Sequence, residues 1–339
     1  MKLAPTMKLT AALAASALAL TACGGSDGAA GSDDEIKIGI SQFVTHPSLD
    51  AVATGFKAGL ADAGFENVVY DEQNPQADTA TNTAIAGQFA ADSDLDLALA
   101  IATPSAQALA QSVTNIPVLF SAVTDPLEAK LVDSLEAPGG NVTGTSDKNP
   151  VKEQLELLKQ LAPDAETVGI VYSSGEVNSQ VQVDWAKEAS EELGLTIDAK
   201  AISAASEVQQ AAAGMKVDAF YVPTDNQVVS ALEGLLQVAQ DKSIPVISAD
   251  GESVKRGATA TYGINYEKLG EQTGAMAARI LNGEGEPATM PVETLTEVEL
   301  YINTESADKL GIEIPQDLLD AAAEVYEKIE EPEEEEGDE

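Results

Sequence analysis

Arginine, histidine, cysteine and tryptophan are nearly missing from this chain of 339 residues, which holds Arg256 and Arg279, His46, Cys23 and Trp185 and no others of those kinds. Each shortage excludes a class of chemistry. A single thiol cannot form a disulfide within the chain. Lysine and arginine number 18 against 57 acidic residues, a formal charge of -39, so neither nucleic acid nor an anionic membrane surface meets a basic patch. Two arginines are also too few for a multiply anionic ligand. A Ser/His/Asp hydrolase would have to use His46, yet no G-x-S-x-G elbow leads from a strand into a helix. His46 reads instead as a structural or pocket-lining histidine. No clustered ligands suggest a metal, and no glycine-rich phosphate loop or dinucleotide fingerprint suggests a cofactor, so neither is expected.

What the chain does have begins at its N-terminus. Lys2 and Lys8 precede an apolar run from Leu9 to Leu20 that is too short to span a bilayer. Leu20-Thr21-Ala22-Cys23 then leads into Gly24-Gly25-Ser26, the pattern of a bacterial lipoprotein processing site. On this reading residues 1–22 are a signal peptide, Cys23 is lipidated, and residues 23–35 form a flexible polar linker. Removal of the leader takes two lysines and no acids, leaving -41. The protein is therefore expected outside the cytoplasm, held to the membrane by its N-terminal lipid alone. At the other end, residues 326–339 are almost wholly acidic, and like-charge repulsion predicts a disordered tail.

Between these ends, short apolar runs alternate with longer helical ones, the pattern of βαβ units and a parallel sheet. Strands are predicted at 36–40, 67–70, 97–101 and 118–120, with helices at 50–63, 77–91 and 105–113. The pattern then repeats, with strands at 167–171, 196–199, 219–222 and 246–248 and helices near 180–193, 208–215 and 228–240. DLALAIATPSAQA parallels VDAFYVPTDNQVV, and NIPVLFSAVTD parallels SIPVISADGES. The pairs Gly39/Gly169, Thr103/Thr224 and Pro117/Pro245 are offset by 130, 121 and 128, so register holds along the unit. The economical fold is α/β, with two similar doubly wound parallel-sheet lobes. A further amphipathic helix after Tyr262, a strand near 298–302 and a helix from Pro315 let the chain cross back, so the connection is a multi-stranded hinge. Lobe 1 is expected over 36–147 and 263–290, and lobe 2 over 148–262 and 291–325.

In such sheets a ligand lies beyond the carboxyl ends of the strands, where loops enter helix N-termini. The residues there are mostly hydroxyls, amides and carboxylates: Ser41 and Gln42; Thr103, Pro104 and Ser105; Ser121, Thr124 and Asp125; Ser173, Ser174 and Asn178; Thr224, Asp225 and Asn226; and Asp250. Thr103-Pro104-Ser105 opens a helix with proline at its start, where free N–H groups could hold a carboxylate or Thr103 could act as a cap. Asp225, at the equivalent position of the second lobe, could pair with an ammonium or cap its own helix. An anion site facing a carboxylate is what a zwitterionic amino acid requires.

IGISQFVTHPSLD, IATPSAQALA, VLFSAVTDP, NVTGTSD, YSSGEVNSQVQ, VPTDNQVVSALE and LGIEIPQDLL together resemble one family, the ABC-transporter substrate-binding lipoproteins associated with tryptophan and tyrosine uptake. The resemblance runs in order from about Ile36 to Leu319. It implies a type I periplasmic-binding-protein fold that clasps an aromatic amino acid between two lobes and docks, as a monomer, on an ABC permease. By that resemblance the ligand carboxylate meets Thr103, Ser105 and the Ser121–Thr124 loop, and Asp225 takes the ammonium. Ser41, Gln42, Pro104, Ser146, Asn178, Thr224, Asn226 and Asp250 are further binding candidates, and Phe43 is expected against the ligand side chain. A sensor or scaffold lipoprotein of the same fold, or capture of an aliphatic amino acid, a sugar or a nucleoside, is the competing reading.

Overall fold

A computed structural model describes residues 35–295 and 297–330, so the expectations for the leader, Cys23 and residues 331–339 lie outside the described residues. The first lobe is built from β1 (Ile36–Gln42), α1 (Pro47–Asp62), β2 (Val68–Gln73), α2 (Thr79–Ala91), β3 (Leu97–Ile101), α3 (Thr103–Ser112), β4 (Val118–Val123) and β5 (Val142–Ser146). The second contains α4 (Val151–Leu161), β6 (Thr167–Ser173), α5 (Val177–Leu193), β7 (Thr196–Ile202), α6 (Val208–Gly214), β8 (Ala219–Val222), α7 (Asn226–Ser230), α8 (Leu232–Lys242), β9 (Val246–Ser248), α9 (Gly251–Lys255) and β10 (Ala260–Gly263). Then follow α10 (Tyr266–Leu281), β11 (Glu293–Thr294), β12 (Glu299–Asn303), α11 (Thr304–Leu310), α12 (Gln316–Ala321) and β13 (Glu324–Tyr326).

The first sheet runs β11-β5-β4-β3-β1-β2 and the second β13-β12-β10-β9-β8-β6-β7. Their five-strand cores therefore share one order, as duplication predicts. Every recorded pairing is parallel except β10 with β12. Central strands such as β3 and β4 are buried at every position, as expected where helices cover both faces of a parallel sheet. Equivalent glycines in the two lobes do the same steric work. A Cβ at Gly39 or at Gly169 would fall 2.9 Å from the ring of Phe89 or Phe220, respectively.

The chain passes between sheets three times, after β5, after β10 and between β11 and β12. The first two passages follow Ser146 and Gly263. The third comes later than expected, because β11 pairs with β5 at Glu293↔Thr145 and carries the first lobe on to Thr294. The helix of the second passage, α10, is fused to α1 by close backbone contact. Cβ atoms at Gly55 and Gly59 would lie 2.0 and 2.3 Å from the carbonyls of Glu267 and Glu271, and at Gly270 and Gly274, 2.3 and 2.4 Å from those of Val52 and Phe56. At the far end the chain is anchored beyond residue 326: the Ile329 N–H donates to Glu305 at 2.7 Å, and the Glu330 N–H donates to the Lys255 carbonyl at 3.0 Å. The helix expected over 228–240 is two helices, because Ala231 leaves helical geometry at φ -119°, ψ 28°.

Candidate functional site

Seven strands, β1, β4, β5, β6, β8, β9 and β10, end around a narrow cavity of about 20 Å³ between the lobes. The start of α1 contributes His46, Ser48 and Leu49, and the end of β4 contributes Ala122. The first passage brings Asp147, and the second brings Tyr266. From the second lobe come Asn178, Thr224, Asn226, Val229 and Asp250. The lobes touch directly here: the Ser48 hydroxyl donates to Asp250 Oδ1 at 2.9 Å, and the Thr124 and Thr224 hydroxyls lie 3.1 Å apart.

Of the fourteen binding residues expected from sequence, Asn178, Thr224, Asn226 and Asp250 line this cavity and the other ten do not. Asp225 is fully buried, and its carboxylate faces its own lobe, accepting from the Val228 N–H at 2.9 Å and the Ser173 N–H at 2.5 Å. It caps α7 and is not among the residues that line the cavity. Ser41 and Ser105 bond each other at 3.3 Å, and Ser105 bonds Asn82 at 3.3 Å. Pro104 supplies only its carbonyl, to Asn82 Nδ2 at 2.9 Å. Ser121, Thr145 and Thr273 form a closed hydroxyl triangle with sides of 2.7–3.0 Å. The Ser146 hydroxyl donates to the Thr124 carbonyl at 3.1 Å, and Gln42 reaches Asp50 at 2.6 Å. Phe43 belongs to the core of the first lobe, and Tyr266 is the aromatic that reaches the cavity. Thr103 is buried with an unpartnered hydroxyl, away from the lining.

Sequence reasoning singled out neither Ser48, Asp147 nor Tyr266, and left His46 undecided. Their polar atoms give the cavity its character. The Tyr266 hydroxyl donates to Asp147 Oδ2 at 2.8 Å, while Asp147 Oδ1 is buried without a partner. Burial pushes the Asp147 carboxyl above the usual carboxylate range, and burial together with the Asp147 charge raises Tyr266. Asn178 Nδ2 donates to Glu176 at 3.0 Å and to the Thr224 carbonyl at 2.8 Å, which leaves its Oδ1 buried and unpartnered. His46 Nδ1 is likewise unpartnered, and burial pushes the imidazole down to about 4 against the opposing pull of Asp250. Orphaned buried polar atoms are rare and need an explanation. Three of them line this one cavity, and no lysine or arginine does.

Helix ends complete the electrostatics. The 16-residue α1 opens with Pro47, and His46 makes no side-chain cap, so its positive end points uncapped at the cavity. Above it Ala122 holds φ +56°, in a β4 segment whose register with β5 shifts between Phe120 and Val123. Non-glycine residues at positive φ cluster at binding sites because the surroundings must hold them there. Across the cleft, α7 and α9 are capped by Asp225 and Asp250. The arrangement offers a negative group the α1 terminus and a positive group the Asp147 and Asn178 oxygens. Among the described residues no cluster of metal-binding side chains occurs, and no helix is long and apolar enough to cross a membrane.

The family model for ABC transporter substrate binding proteins matches residues 37–326. A tyrosine-binding protein of Clostridioides difficile is 43% identical over 307 residues, covering 87% of this chain and 88% of that one. Among solved structures, an ABC domain from Streptococcus pneumonia in complex with L-Trp is 38% identical, covers 86% of this chain and all of its own, and superposes with a TM-score of 0.83. The ligand-free, open form of a substrate binding protein with adhesive properties from Clostridium difficile is 45% identical over the same shares, with a TM-score of only 0.66. The chain is thus nearer in shape to the liganded structure than to the open one of higher identity, as the direct contacts between its lobes require.

Proposed function

This chain belongs to the ABC transporter substrate-binding protein family, and from that premise we propose that it captures one aromatic amino acid between its lobes and delivers it to an ABC permease. Family membership puts the work outside the cytoplasm. One observation carries the ligand chemistry: the cavity presents buried, unpartnered acceptors on Asp147 and Asn178 and neither lysine nor arginine, so the positive charge is the ligand's own. A charge-assisted hydrogen bond to each oxygen satisfies an ammonium. The ligand carboxylate meets the α1 terminus beside Ser48, where Pro47 offers no N–H and His46 no cap. Leu49, Ala122, Val229 and Tyr266 give its side chain an apolar surround. The relatives named for tyrosine and complexed with L-Trp support the aromatic class.

The work is non-catalytic. Ligand shifts the lobes toward the closed form by as much as it binds that form better, and the Ser48–Asp250 and Thr124–Thr224 contacts belong to the closed form. Cys23 carries the lipid that tethers a monomer to the membrane, which mass spectrometry of the mature chain and its elution volume test. Calorimetric titration with tyrosine, tryptophan and phenylalanine tests the ligand. Binding of at least one is expected, with about 2.7 kcal/mol of added stability at a hundredfold excess over Kd. No response to any aromatic amino acid, with a response to a sugar or nucleoside, overturns the ligand.

A further inference from the structure

The second lobe holds a buried acid that is not among the residues lining the cavity. Glu176, just before α5, is only 4% exposed. Its Oε2 accepts from Asn178 Nδ2 at 3.0 Å, from the Asn226 backbone N–H at 3.3 Å and from Asn226 Nδ2. Its Oε1 has one long contact, to the Gln227 N–H at 3.3 Å. Both asparagines line the cavity.

The consequence falls on Asn178. Both hydrogens of its amide are used within the second lobe, by Glu176 and by the Thr224 carbonyl at 2.8 Å. Turned over, the amide would set its oxygen against a carboxyl oxygen and a carbonyl oxygen, acceptor against acceptor. Only one orientation is therefore satisfied, and in it Oδ1 is buried with nothing to accept from except a ligand. We propose that Glu176 is a positioning residue that locks the Asn178 amide so that its oxygen, and never its NH2 group, meets the ligand's ammonium. The proposal rests on the amino-acid reading above. Burial, followed by the charge of Asp225, pushes the Glu176 carboxyl up to about 8. Oε2 faces three N–H donors against one for Oε1, so it is the acceptor that matters. A glutamine can reproduce that acceptor, and a methionine cannot.

The test is calorimetric titration of the full chain and its Glu176→Met and Glu176→Gln variants with L-tyrosine, L-tryptophan and 3-(4-hydroxyphenyl)propanoate, which lacks the ammonium, alongside ligand-free melting. E176M is expected to weaken the tightest amino acid about tenfold or more, the effect of losing about one charge-assisted hydrogen bond. E176Q is expected to restore affinity to within about threefold, and the desamino compound to change less than the amino acid. Equal weakening by E176M and E176Q, or no weakening by E176M, overturns the proposal while leaving the function intact. If E176M does not fold, Glu176→Asp, which withdraws the acceptor by one methylene, should weaken the amino acid, and unchanged affinity overturns the proposal. A wild-type chain that binds no aromatic amino acid overturns the functional reading and this inference with it.

Discussion

The two lobes share strand order and loop register, yet they differ in how they finish the helix ends at the cleft. In the first lobe, α1 and α3 enter without a side-chain cap, at His46 and Ala102. In the second, Asp225 and Asp250 fill the ends of α7 and α9 with their own carboxylates. At the cavity the first lobe presents the uncapped end of α1, whereas the second fills the ends of α7 and α9 and leaves only α5, at Glu176, without a side-chain cap. The cleft thereby acquires two poles from one architecture, and an acceptor pair, Asp147 with Asn178, completes the pole away from α1. Divergence of a duplicated lobe at its caps is enough to turn a symmetric cleft into a site for a zwitterion.

Removing the second lobe's own cap should give the largest effect, on stability. Asp225→Ala leaves the buried Ser173 and Val228 N–H groups without acceptors. At about 1–3 kcal/mol for each unpaired buried group, the loss should reach about 3 kcal/mol. Denaturant unfolding measures it, and a near-neutral result would break the contrast between capped and open ends. Asp147→Asn should act the other way, on affinity and hardly on stability, since a buried carboxyl that burial already disfavours is replaced by a neutral isostere. Loss of a charged hydrogen bond, about 2 kcal/mol, predicts about thirtyfold weaker amino-acid binding by titration. Unchanged affinity would move the ammonium away from this oxygen.

That Asp147 and not Asp225 lines the cavity was beyond the reach of sequence, and the reason is physical. Both follow strands, but whether a carboxylate turns into its own helix or into the cleft depends on backbone direction at one residue and on what lies across a passage 119 residues away in sequence, where Tyr266 meets Asp147. The parallel strands and the repeat were legible because they rest on local periodicity and on loop residues that recur. His46-Pro47-Ser48 carries the same X-Pro-Ser signal as Thr103-Pro104-Ser105, and only the fold distinguishes which helix end lines the cavity. Gly55/Gly59 and Gly270/Gly274 have matching four-residue spacing, a legible sign of close helix packing that went unused until the structure joined α1 to α10. β11 is two residues long, too short for any pattern.

The open end of α1 also predicts a pH dependence. His46 is held near 4 by burial in the closed cleft, with Asp250, Arg256 and Asn226 acting on it as well as Asp147 and Tyr266 lining the same cavity. In an opened cleft its pKa returns toward about 6.5. The closed form then binds fewer protons than the open one, so closure is fully favoured above about 6.5 and is lost as pH falls toward about 4. Ligand affinity should drop by up to about tenfold per unit across that window, somewhat less than the Asp147 effect at pH 5.5. His46→Gln should flatten the profile, and an undiminished slope in that variant would assign it to the carboxyls. The smallest effect belongs to Ser48→Ala, which removes one contact between the lobes. Asp250 keeps its Ser253 N–H and hydroxyl partners at 2.8 and 2.7 Å, so no carboxylate is stranded. The closed form should lose only about 1 kcal/mol, seen as about fivefold weaker binding with an unchanged ligand-free melting point. A change in melting point without a change in affinity would mean that Ser48 supports the α1 entrance itself and not the meeting of the lobes.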